Sequence, residues 1–237
     1  MERTLLYEGK AKKVYQVNDR TREIILSYKN DATAFNGEKK SVFPGKGRLN
    51  NEISSLIFTK LREKGIKSHF IKQLNKTEQL VYQTEIIPLE VVVRNVAAGS
   101  ITKRLGMKER TPFNPPIVEL FYKNDDLKDP LINDEHAILL TNISLNELKE
   151  IKEKALEINE TLSEIFQRIG IKLVDFKVEF GRLADGWIVL ADEISPDTCR
   201  LWDVETMEKL DKDVFRQGTG DLIEVYEEIL NRLEEQK

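Results

Sequence analysis

Two acidic segments on either side of one Asp-Gly turn constrain the fold of this chain most strongly. The segments are residues 174–181 (VDFKVEFG) and 190–197 (LADEISPD), with Asp185-Gly186 between them. An Asp-Gly pair between two apolar-patterned runs is the strongest short-range signal for a β-hairpin, and a two-residue loop fixes the register of both strands. With such a loop residue 184 pairs with residue 187. Counting outward from that pair places Glu179 directly opposite Asp192.

The first segment also alternates in polarity, as a strand with one buried face does. Asp175, Lys177 and Glu179 fall on one face, and the apolar residues at 174, 176, 178 and 180 fall on the other. Two opposed carboxylates repel each other unless a positive charge lies nearby. Mg²⁺ typically binds one or two protein carboxylates and completes its shell with water and phosphate oxygens. A magnesium ion held by Glu179 and Asp192 is one arrangement that would remove this repulsion. The alternative is an exposed acidic face that Lys177 or solvent neutralises.

Composition excludes several classes of function. The 237 residues are 40% hydrophobic, which is enough for a substantial core, and a net charge of -4 provides no general attraction for nucleic acid or an anionic membrane. A local basic pocket could still bind a small anion. Cys199 is the single cysteine and has no partner for an intramolecular disulfide, and no apolar run is long enough to cross a bilayer. A cytoplasmic protein is expected.

The order of predicted elements indicates an α+β fold. Strands predominate early, beginning with a β-meander over residues 5–28. The longest helix begins after Ser144, which forms a capping-box pattern with Glu147, and a last helix begins at about Asp221. A helix is predicted over residues 49–64. Residues 30–48 are predicted to be a mobile loop, and the proline-rich residues 106–130 are predicted to be irregular with short strands such as residues 117–122. A boundary near Glu85 would separate a small antiparallel-sheet domain, residues 1–85, from a larger α+β domain, residues 86–237.

Two lysines near the N-terminus form a candidate phosphate clamp. Lys10 and Lys12 lie in YEGKAKKVY, residues 7–15, and an i, i+2 pair on a strand points to one face. Gly9 beside them would let a ligand approach the backbone closely. The alternative is a solvated lysine face with no ligand.

A second candidate anion site follows the apolar strand in VVVRNVAAGS, residues 91–100. Arg94 and the Gly99-Ser100 turn before a short helix could together bind a phosphate group. In the alternative, Ser100 caps the helix and Arg94 forms a structural ion pair. Arg200, in SPDTCRLWD, could likewise bind a carboxylate or phosphate, or form an ion pair between strands.

Six motifs taken together resemble the SAICAR synthetase family over nearly the whole chain. They are YEGKAKKVY, VVVRNVAAGSITKRLG, YKNDDLKDP, LVDFKVEFG, ADEISPDTCRLWD and DKDVFRQG, in the order and spacing of that family. The resemblance implies an enzyme of purine biosynthesis that uses ATP to join the carboxylate of a carboxyaminoimidazole ribotide to L-aspartate. It also implies a small sheet domain over a larger domain, a nucleotide cleft like that of kinases or ATP-grasp enzymes, and a homodimer.

The resemblance assigns Lys10 and Lys12 to the ATP phosphates, Val14 to the adenine base and the backbone around Ile86 to the adenine-binding connector. It assigns Glu179 and Asp192 as the magnesium ligands. The mild departures are Ile194, where phenylalanine is expected, and residues 198–199, where the family varies.

For the other substrates the resemblance implies that Arg94, Ser100 and Arg200 bind the ribotide, chiefly through its phosphate. Lys123 and Lys177 would lie among the phosphates and the transferring groups. Asp129 and residues 30–48 are candidates for binding aspartate. The base that deprotonates the aspartate amine is not identified.

Two other classes of function remain as alternatives. A kinase-like phosphotransferase would use the same lysines and carboxylates, but it should carry a catalytic-loop aspartate of the His-Arg-Asp type, which this sequence lacks. A non-catalytic nucleotide- or RNA-binding module would need Lys10 and Arg94 without the pair formed by Glu179 and Asp192.

Overall fold

The computed structural model describes residues 2–17, 20–34 and 39–236. Its first layer is a five-stranded antiparallel sheet in the order β1-β2-β3-β7-β6. Consecutive strands are neighbours in its first half, so the predicted β-meander is confirmed. The strands are β1 (Arg3–Glu8), β2 (Lys12–Val17), β3 (Arg20–Tyr28), β6 (Phe70–Asn75) and β7 (Glu78–Tyr82).

Residues 30–48 contain a short hairpin, so the prediction of a loop over these residues is wrong. In this hairpin β4 (Asp31–Ala34) pairs with β5 (Lys39–Val42), while residues 35–38 lie outside the described part of the chain. Strands of four residues give sequence periodicity little to detect. The next element, α1 (Lys46–Glu63), confirms the predicted helix but begins three residues earlier, and it ends before Gly65 at φ +87°.

The second layer is a six-stranded antiparallel sheet in which β11 (Ile171–Arg182) is central. The main order is β10-β9-β8-β11-β12, and β13 also pairs with β11. β13 and β12 cover successive parts of one edge of β11, and β8 covers the other edge. The remaining strands are β8 (Glu85–Val96), β9 (Pro112–Tyr122), β10 (Leu131–Ile132), β12 (Ile188–Ala191) and β13 (Cys199–Asp203).

β9 contains the predicted short strand of residues 117–122 and extends it back to Pro112, where irregular structure was predicted. The strand runs without a break through Pro112, Pro115 and Pro116. In the described part of the chain, the only strand besides β8 that pairs with it is β10, which pairs with Leu120 and Phe121. Its proline-containing half is therefore an edge of the sheet, where a missing N–H leaves no ladder hydrogen bond broken.

The two long helices after residue 100 begin where predicted. Ser144 and Glu147 form the predicted capping box for the first of them, and Asp221 caps the second, which was predicted to start at about this residue. The helices over residues 134–141 and 213–217 were not predicted. None of the helices in the described residues is long and apolar enough to cross a membrane. The helices are α2 (Ser100–Leu105), α3 (Asp134–Thr141), α4 (Leu145–Arg168), α5 (Asp213–Gln217) and α6 (Leu222–Glu234), with a 3₁₀ turn at Asp125–Leu127.

The main apolar core is formed by the six-stranded sheet together with α1, α4 and α6. It contains Phe58 of α1, Leu162 of α4, Val178 of β11 and Tyr226 of α6, all of them buried. Residues from both sides of the predicted boundary near Glu85 thus share one core. The division into residues 1–85 and 86–237 remains a prediction.

Candidate active site

The hairpin between β11 and β12 has a three-residue loop, not the predicted two-residue loop. The Leu183 N–H donates to the Trp187 carbonyl at 2.9 Å, which leaves residues 184–186 in the loop, and Gly186 has φ +90°. Three-residue loops with a residue in the left-handed region are the next most common hairpin connection. The register therefore shifts by one residue, and Glu179 pairs with Ala191. The predicted pairing of Glu179 with Asp192 is wrong.

Asp192 nevertheless lies in the same charged cluster as Glu179. It follows the last residue of β12 and has φ +60°, so the backbone leaves the strand at this position. Its Oδ1 lies 2.5 Å from Nζ of Lys12. Lys177 and Lys123 connect the two carboxylates, because both lysines form salt bridges with Glu179 and both act electrostatically on Asp192.

Lys123 and Lys177 approach Glu179 from different strands. Lys123 follows the end of β9 and bonds Glu179 Oε2. Lys177 lies on β11, with Nζ 2.6 Å from Glu90 Oε1 and 3.2 Å from Glu179 Oε1. Glu179 is almost fully buried, whereas the Lys123 side chain is 43% exposed. Of the two, Lys123 is therefore the cation more open to a ligand.

The charges in this cluster stabilise one another in their ionised forms. Burial alone would raise the pKa of the Asp192 carboxyl, but Lys12, Lys177 and Lys123 outweigh burial and hold that pKa well below its usual range. Burial alone would lower the pKa of Lys177, but the surrounding carboxylates, Glu179 foremost, raise it well above its usual range. Asp192 and Lys177 are therefore both charged at neutral pH.

The donor set of this cluster fits a magnesium ion. Glu179 and Asp192 supply carboxylate oxygens, and Mg²⁺ needs only one or two carboxylates when phosphate oxygens and water complete its shell. Within the described ranges no group of three or more His, Cys, Asp or Glu side chains is arranged to hold a metal by itself. Such an ion would therefore depend on oxygens from a substrate.

The two N-terminal lysines separate instead of sharing a strand face, so that part of the prediction is wrong. β2 begins at Lys12, and Lys10 lies before it, where its Nζ is 2.7 Å from Asp125 Oδ1. Lys12 is largely buried and also bonds Glu193 at 2.9 Å. Both lysines thus reach from the five-stranded sheet to loops of the six-stranded sheet.

The two residues predicted at the nucleotide base lie at different depths. Val14 on β2 is partly buried and packs against a small cluster that includes Leu26 and Val81. Ile86, near the start of β8, is 40% exposed and leaves apolar surface available to a ligand. Their contact with a nucleotide stays a prediction.

The predicted anion-binding residues converge around Gly99. Arg94 is buried and paired with Asp175 at 2.6 Å, and Arg200 approaches the same carboxylate at 2.9 Å. Ser100 Oγ accepts one hydrogen bond from Arg94 and another from Arg104 of α2. A Cβ added to Gly99 would lie 2.3 Å from Arg200 Nη2. Only glycine lets this guanidinium pack against the backbone here.

Arg94 and Arg200 form the ion pairs that the alternative interpretation predicted. Arg94 also bonds Glu119 at 2.7 Å, and Arg200 Nε bonds Asp213 at 3.0 Å. Ser100 is not the helix cap, since Gly99 occupies that position. These pairs hold both guanidinium groups in place, and whether a ribotide also binds them stays a prediction.

Asp129 stabilises the loop that follows Lys123. Its Oδ1 accepts from the backbone N–H of Asn124 at 2.8 Å, and its own φ is +48°. The Asn124 side chain in turn accepts from the next turn of the loop. Asp129 therefore has a structural role, and its contact with a substrate remains a prediction.

Sequence reasoning missed a buried group centred on Asp197. Lys46, at the start of α1, is fully buried with Nζ 2.5 Å from Asp197 Oδ2. The Tyr226 hydroxyl of α6 donates to Asp197 Oδ1 at 2.5 Å, and Lys212 Nζ lies 3.7 Å from Oδ2. The prediction placed Asp197 within the acidic motif without a role. The sequence held no signal for its partners, which lie far away in the chain.

His69 was also missed. It is buried, and its Nε2 lies 3.1 Å from the backbone oxygen of Asp192. Its backbone N–H donates to the Leu190 carbonyl at 2.8 Å. These two contacts fix the chain where it leaves β12.

Comparison with known proteins identifies the family. A model of the SAICAR synthetase family matches residues 5–233. Phosphoribosylaminoimidazole-succinocarboxamide synthase of Oceanobacillus iheyensis is 72% identical over 234 residues, with 99% of each chain covered. Among solved structures, the synthase of the same name from Ehrlichia chaffeensis has a TM-score of 0.95 and 48% identity, with 98% of each chain covered. A SAICAR synthetase in complex with ADP has a TM-score of 0.93 and 54% identity, also with 98% of each chain covered. These similarities confirm the predicted α+β fold. The chain belongs to the SAICAR synthetase family.

Proposed function

We propose that this protein is an ATP-dependent ligase that condenses 5-amino-1-(5-phosphoribosyl)imidazole-4-carboxylate with L-aspartate in purine biosynthesis. The products are the succinocarboxamide ribotide SAICAR, ADP and phosphate. The family match over residues 5–233 carries this proposal. The related structure that contains ADP supports ATP as the co-substrate.

The nucleotide would bind where the five-stranded sheet meets the charged cluster. Lys12 and the more exposed Lys10 are placed to contact phosphate oxygens, because both reach across to loops of the other sheet. Val14 and the exposed Ile86 would flank the adenine base. Lysine serves phosphate as a mobile point charge, so exchanging a carboxylate partner for phosphate requires little rearrangement.

Glu179 and Asp192 would hold a magnesium ion at the phosphate end of this site. When bound, that ion supplies positive charge that offsets the charge on the transferring phosphoryl group. The residues of this chain supply the rest of the electrostatic environment. Lys123 and Lys177 lie beside Glu179 and would stabilise negative charge as the anionic carboxylate approaches the phosphate.

The ribotide would bind at the end of the substrate site opposite the nucleotide, against Arg94, Ser100 and Arg200. Arg200 is more accessible than Arg94, because the Arg200 side chain is 20% exposed and Arg94 is almost fully buried. Fixing the ribotide at its phosphate would align its carboxylate with the transferring phosphoryl group. Asp129 is a candidate contact for aspartate, next to Lys123.

The chemistry requires activation because a carboxylate does not react with an amine at neutral pH. Transfer of the ATP γ-phosphoryl group to the carboxylate oxygen would give an acyl phosphate. The aspartate amine would then attack the acyl carbon, and phosphate would depart with the electron pair of the C–O bond. A homodimer, a cytoplasmic location and the absence of nucleic acid and membrane partners belong to this proposal as well.

The kinase-like alternative is not favoured. It would transfer phosphate to a hydroxyl group, and the sequence contains no His-Arg-Asp motif. A binding module would have no need for the cluster in which Lys123 and Lys177 surround Glu179.

Omission of each substrate in turn tests the proposal. Release of phosphate and formation of SAICAR should both need ATP, the ribotide and aspartate for steady-state turnover. A phosphotransferase would form ADP without free phosphate and without aspartate, and a binding module would release nothing. Phosphate release that continues at full rate when aspartate is omitted would count against the ligase.

A further inference from the structure

Asp211 is a fully buried carboxylate just before α5. Both of its oxygens accept backbone N–H groups: Oδ1 accepts from Asp213 at 2.7 Å, and Oδ2 accepts from Leu201 of β13 at 2.9 Å. Its backbone oxygen also accepts from Val214 at 3.1 Å. No substrate can reach this carboxylate. Its hydrogen bonds instead fix how β13 and the start of α5 lie relative to each other.

The segment that contains Asp211 completes the outer edge of β13. The inner edge of β13 pairs with β11, and this pairing includes Arg200. On the outer edge, the Leu201 carbonyl accepts from the Leu210 N–H at 2.7 Å, and the Leu201 N–H donates to Asp211. A side-chain carboxylate thus takes the place of a strand carbonyl. Because Leu201 follows Arg200, the backbone that carries this arginine is held at both edges.

The same carboxylate also holds the hydrogen-bond acceptor of Arg200. Asp213, whose N–H donates to Asp211, accepts from Arg200 Nε at 3.0 Å through its Oδ2. Its Oδ1 accepts from Arg216 at 2.5 Å. Asp211 therefore fixes Arg200 in two ways, through the next residue of β13 and through the carboxylate that Arg200 bonds.

The contacts of Arg200 leave one of its nitrogen atoms directed at the proposed ribotide end. Nε bonds Asp213, and Nη1 bonds both oxygens of Asp175, at 3.1 and 2.9 Å. Nη2 lies against Gly99, next to Ser100, and no residue in the described ranges accepts a hydrogen bond from it. A guanidinium is a planar fork, so fixing Nε and Nη1 also fixes the direction of Nη2.

We propose that Asp211 is a positioning residue for the ribotide. By holding β13 and the start of α5 together, it keeps Nη2 of Arg200 directed at the phosphate of the ribotide beside Gly99. This inference rests on the proposed function. Asp211 itself contacts no substrate and acts through Arg200.

Asparagine at position 211 tests this role with little change in side-chain size. Its oxygen can accept one of the two backbone N–H groups, but its amide nitrogen is a donor and cannot accept the other. The clamp should loosen while part of it remains. Asp211→Asn is therefore expected to fold and to let Arg200 move.

Asp203→Asn is the matched control from the same strand. Oδ1 of Asp203 accepts from the N–H groups of Glu205 and Thr206, each at 2.9 Å, and its Oδ2 bonds Arg232. The substitution thus weakens a carboxylate that also organises backbone after β13, but its partners lie outside the proposed substrate site. It reports what a loss of structure alone would do.

Three properties are measured on each protein: binding of the ribotide alone by calorimetry, the steady-state constants for all three substrates, and thermal unfolding. Burial, together with the charge of Asp213, raises the pKa of Asp211 to about 7. The measurements are therefore made at about pH 8.5, where the Asp211 carboxyl is mostly ionised.

Asp211→Asn should weaken ribotide binding and raise the KM for the ribotide by roughly 10–100-fold, because a small displacement of a binding group has an effect of this size. The KM values for ATP and aspartate should stay within about twofold of the wild type, and kcat within about threefold, since the lost interaction is one of binding. Asp203→Asn should lose stability while its ribotide affinity changes by less than about twofold.

A double-mutant cycle with Arg200→Met tests whether Asp211 acts through Arg200. This variant should fold, since Asp175 keeps Arg94 and Asp213 keeps Arg216 as partners. In the Arg200→Met background, Asp211→Asn should change the ribotide affinity by less than about twofold, because the group that it positions is already absent.

Three results would overturn the inference. Wild-type ribotide affinity in folded Asp211→Asn would show that the carboxylate serves the fold alone. An equal loss of affinity with and without Arg200 would show that Asp211 acts by another route. A similar rise in all three KM values would show a general distortion of the site.

If Asp211→Asn does not fold, Asp211→Glu, which keeps the charge on a longer side chain, takes its place in the same cycle. Failure of both variants to fold would also assign Asp211 to the fold alone and overturn the inference. Failure of the proposed function would be visible separately, as a wild-type protein that binds no ribotide and forms no SAICAR.

Discussion

Lys12 and Asp192 are separated by 180 residues in the sequence, yet Nζ of Lys12 lies 2.5 Å from Asp192 Oδ1. Lys12 opens β2 in the five-stranded sheet, and Asp192 follows β12 in the six-stranded sheet. Glu193 lies 2.9 Å from the same ammonium group. One lysine thus joins the two sheets through two adjacent carboxylates, at the place where ATP phosphates are proposed to bind.

Replacing Asp192 with asparagine should reduce kcat by about 10²–10³-fold, because the site loses one of its two proposed magnesium ligands. The fold should persist, since asparagine tolerates the φ of +60° and Lys12 keeps Glu193 as a partner. Steady-state rates and thermal unfolding check both parts. Asp185→Asn in the exposed hairpin loop is the control. Near-normal turnover of Asp192→Asn at ordinary magnesium would remove this residue from the metal site.

Lys177→Met and Lys123→Met should both lose turnover but differ in stability. Lys177 lies between Glu90 and Glu179, so its loss removes the cation shared by the partly buried Glu90 and the buried Glu179 and should cost roughly 1–3 kcal/mol. Loss of Lys123 should cost less, because its side chain is 43% exposed and Glu179 keeps Lys177 as a partner. Urea unfolding separates the two variants, with Lys149→Met on the outer face of α4 as a control. Wild-type turnover in Lys123→Met would exclude it from the reaction.

Gly99→Ala should raise the KM for the ribotide by about tenfold or more, which corresponds to 1.4 kcal/mol of lost binding. The added Cβ would lie 2.3 Å from Nη2 of Arg200 and would displace that guanidinium. Gly106→Ala is a control for a positive φ alone: Gly106 lies in the left-handed region with ψ 26°, nothing lies within 4 Å of its added Cβ, and Gly99 with ψ -130° is the more strained site for alanine. Gly106→Ala should lower the free energy of unfolding by only about 1–2 kcal/mol, the cost of backbone strain. Equal KM values in the two variants would show that Arg200 does not bind the ribotide.

Stability should fall on mild acidification because of His69. Burial lowers the pKa of its imidazole from 6.5 to about 4, against the opposing charge of Asp192. The unfolded chain therefore binds more protons below about pH 6.5, and folding free energy is lost as the pH falls toward the folded-state pKa. From about pH 7 to about pH 5 the loss should be roughly 2 kcal/mol.

Urea unfolding of the ligand-free protein at both pH values measures this loss. His69→Gln keeps a donor for the Asp192 carbonyl but does not titrate, so its stability should change less over the same range. Equal pH dependence in wild type and variant would assign the acid sensitivity to other groups.

The sequence predicted the elements whose signal lies within one segment. The capping box at Ser144 and the alternation along β11 each depend on residues a few positions apart, and both are observed. The pairing register of a hairpin depends on the exact length of its loop. The same Asp-Gly pair suits loops of two or three residues. The two-residue loop predicted a pair between Glu179 and Asp192, whereas the structure pairs Glu179 with Ala191.

The parts of the site that were not predicted depend on distant contacts. The partnership of Lys46 with Asp197 joins residues 151 positions apart, and nothing in either local sequence indicates the other. The separation of Lys10 from Lys12 arises because β2 begins at the second lysine, which periodicity does not specify. The prolines of β9 were interpreted as breakers because a single sequence does not show which strand lies at an edge.

β11 has a consequence for how this enzyme can change over evolutionary time. Its odd-numbered polar positions, Asp175, Lys177 and Glu179, contact both proposed ends of the substrate site, while Phe176 and Val178 belong to the main core. Insertion or deletion of one residue within the strand would exchange these two faces and lose the fold and the activity together. New specificity in this family should therefore arise by substitution at the loops that surround β11, while the length of the strand itself stays fixed.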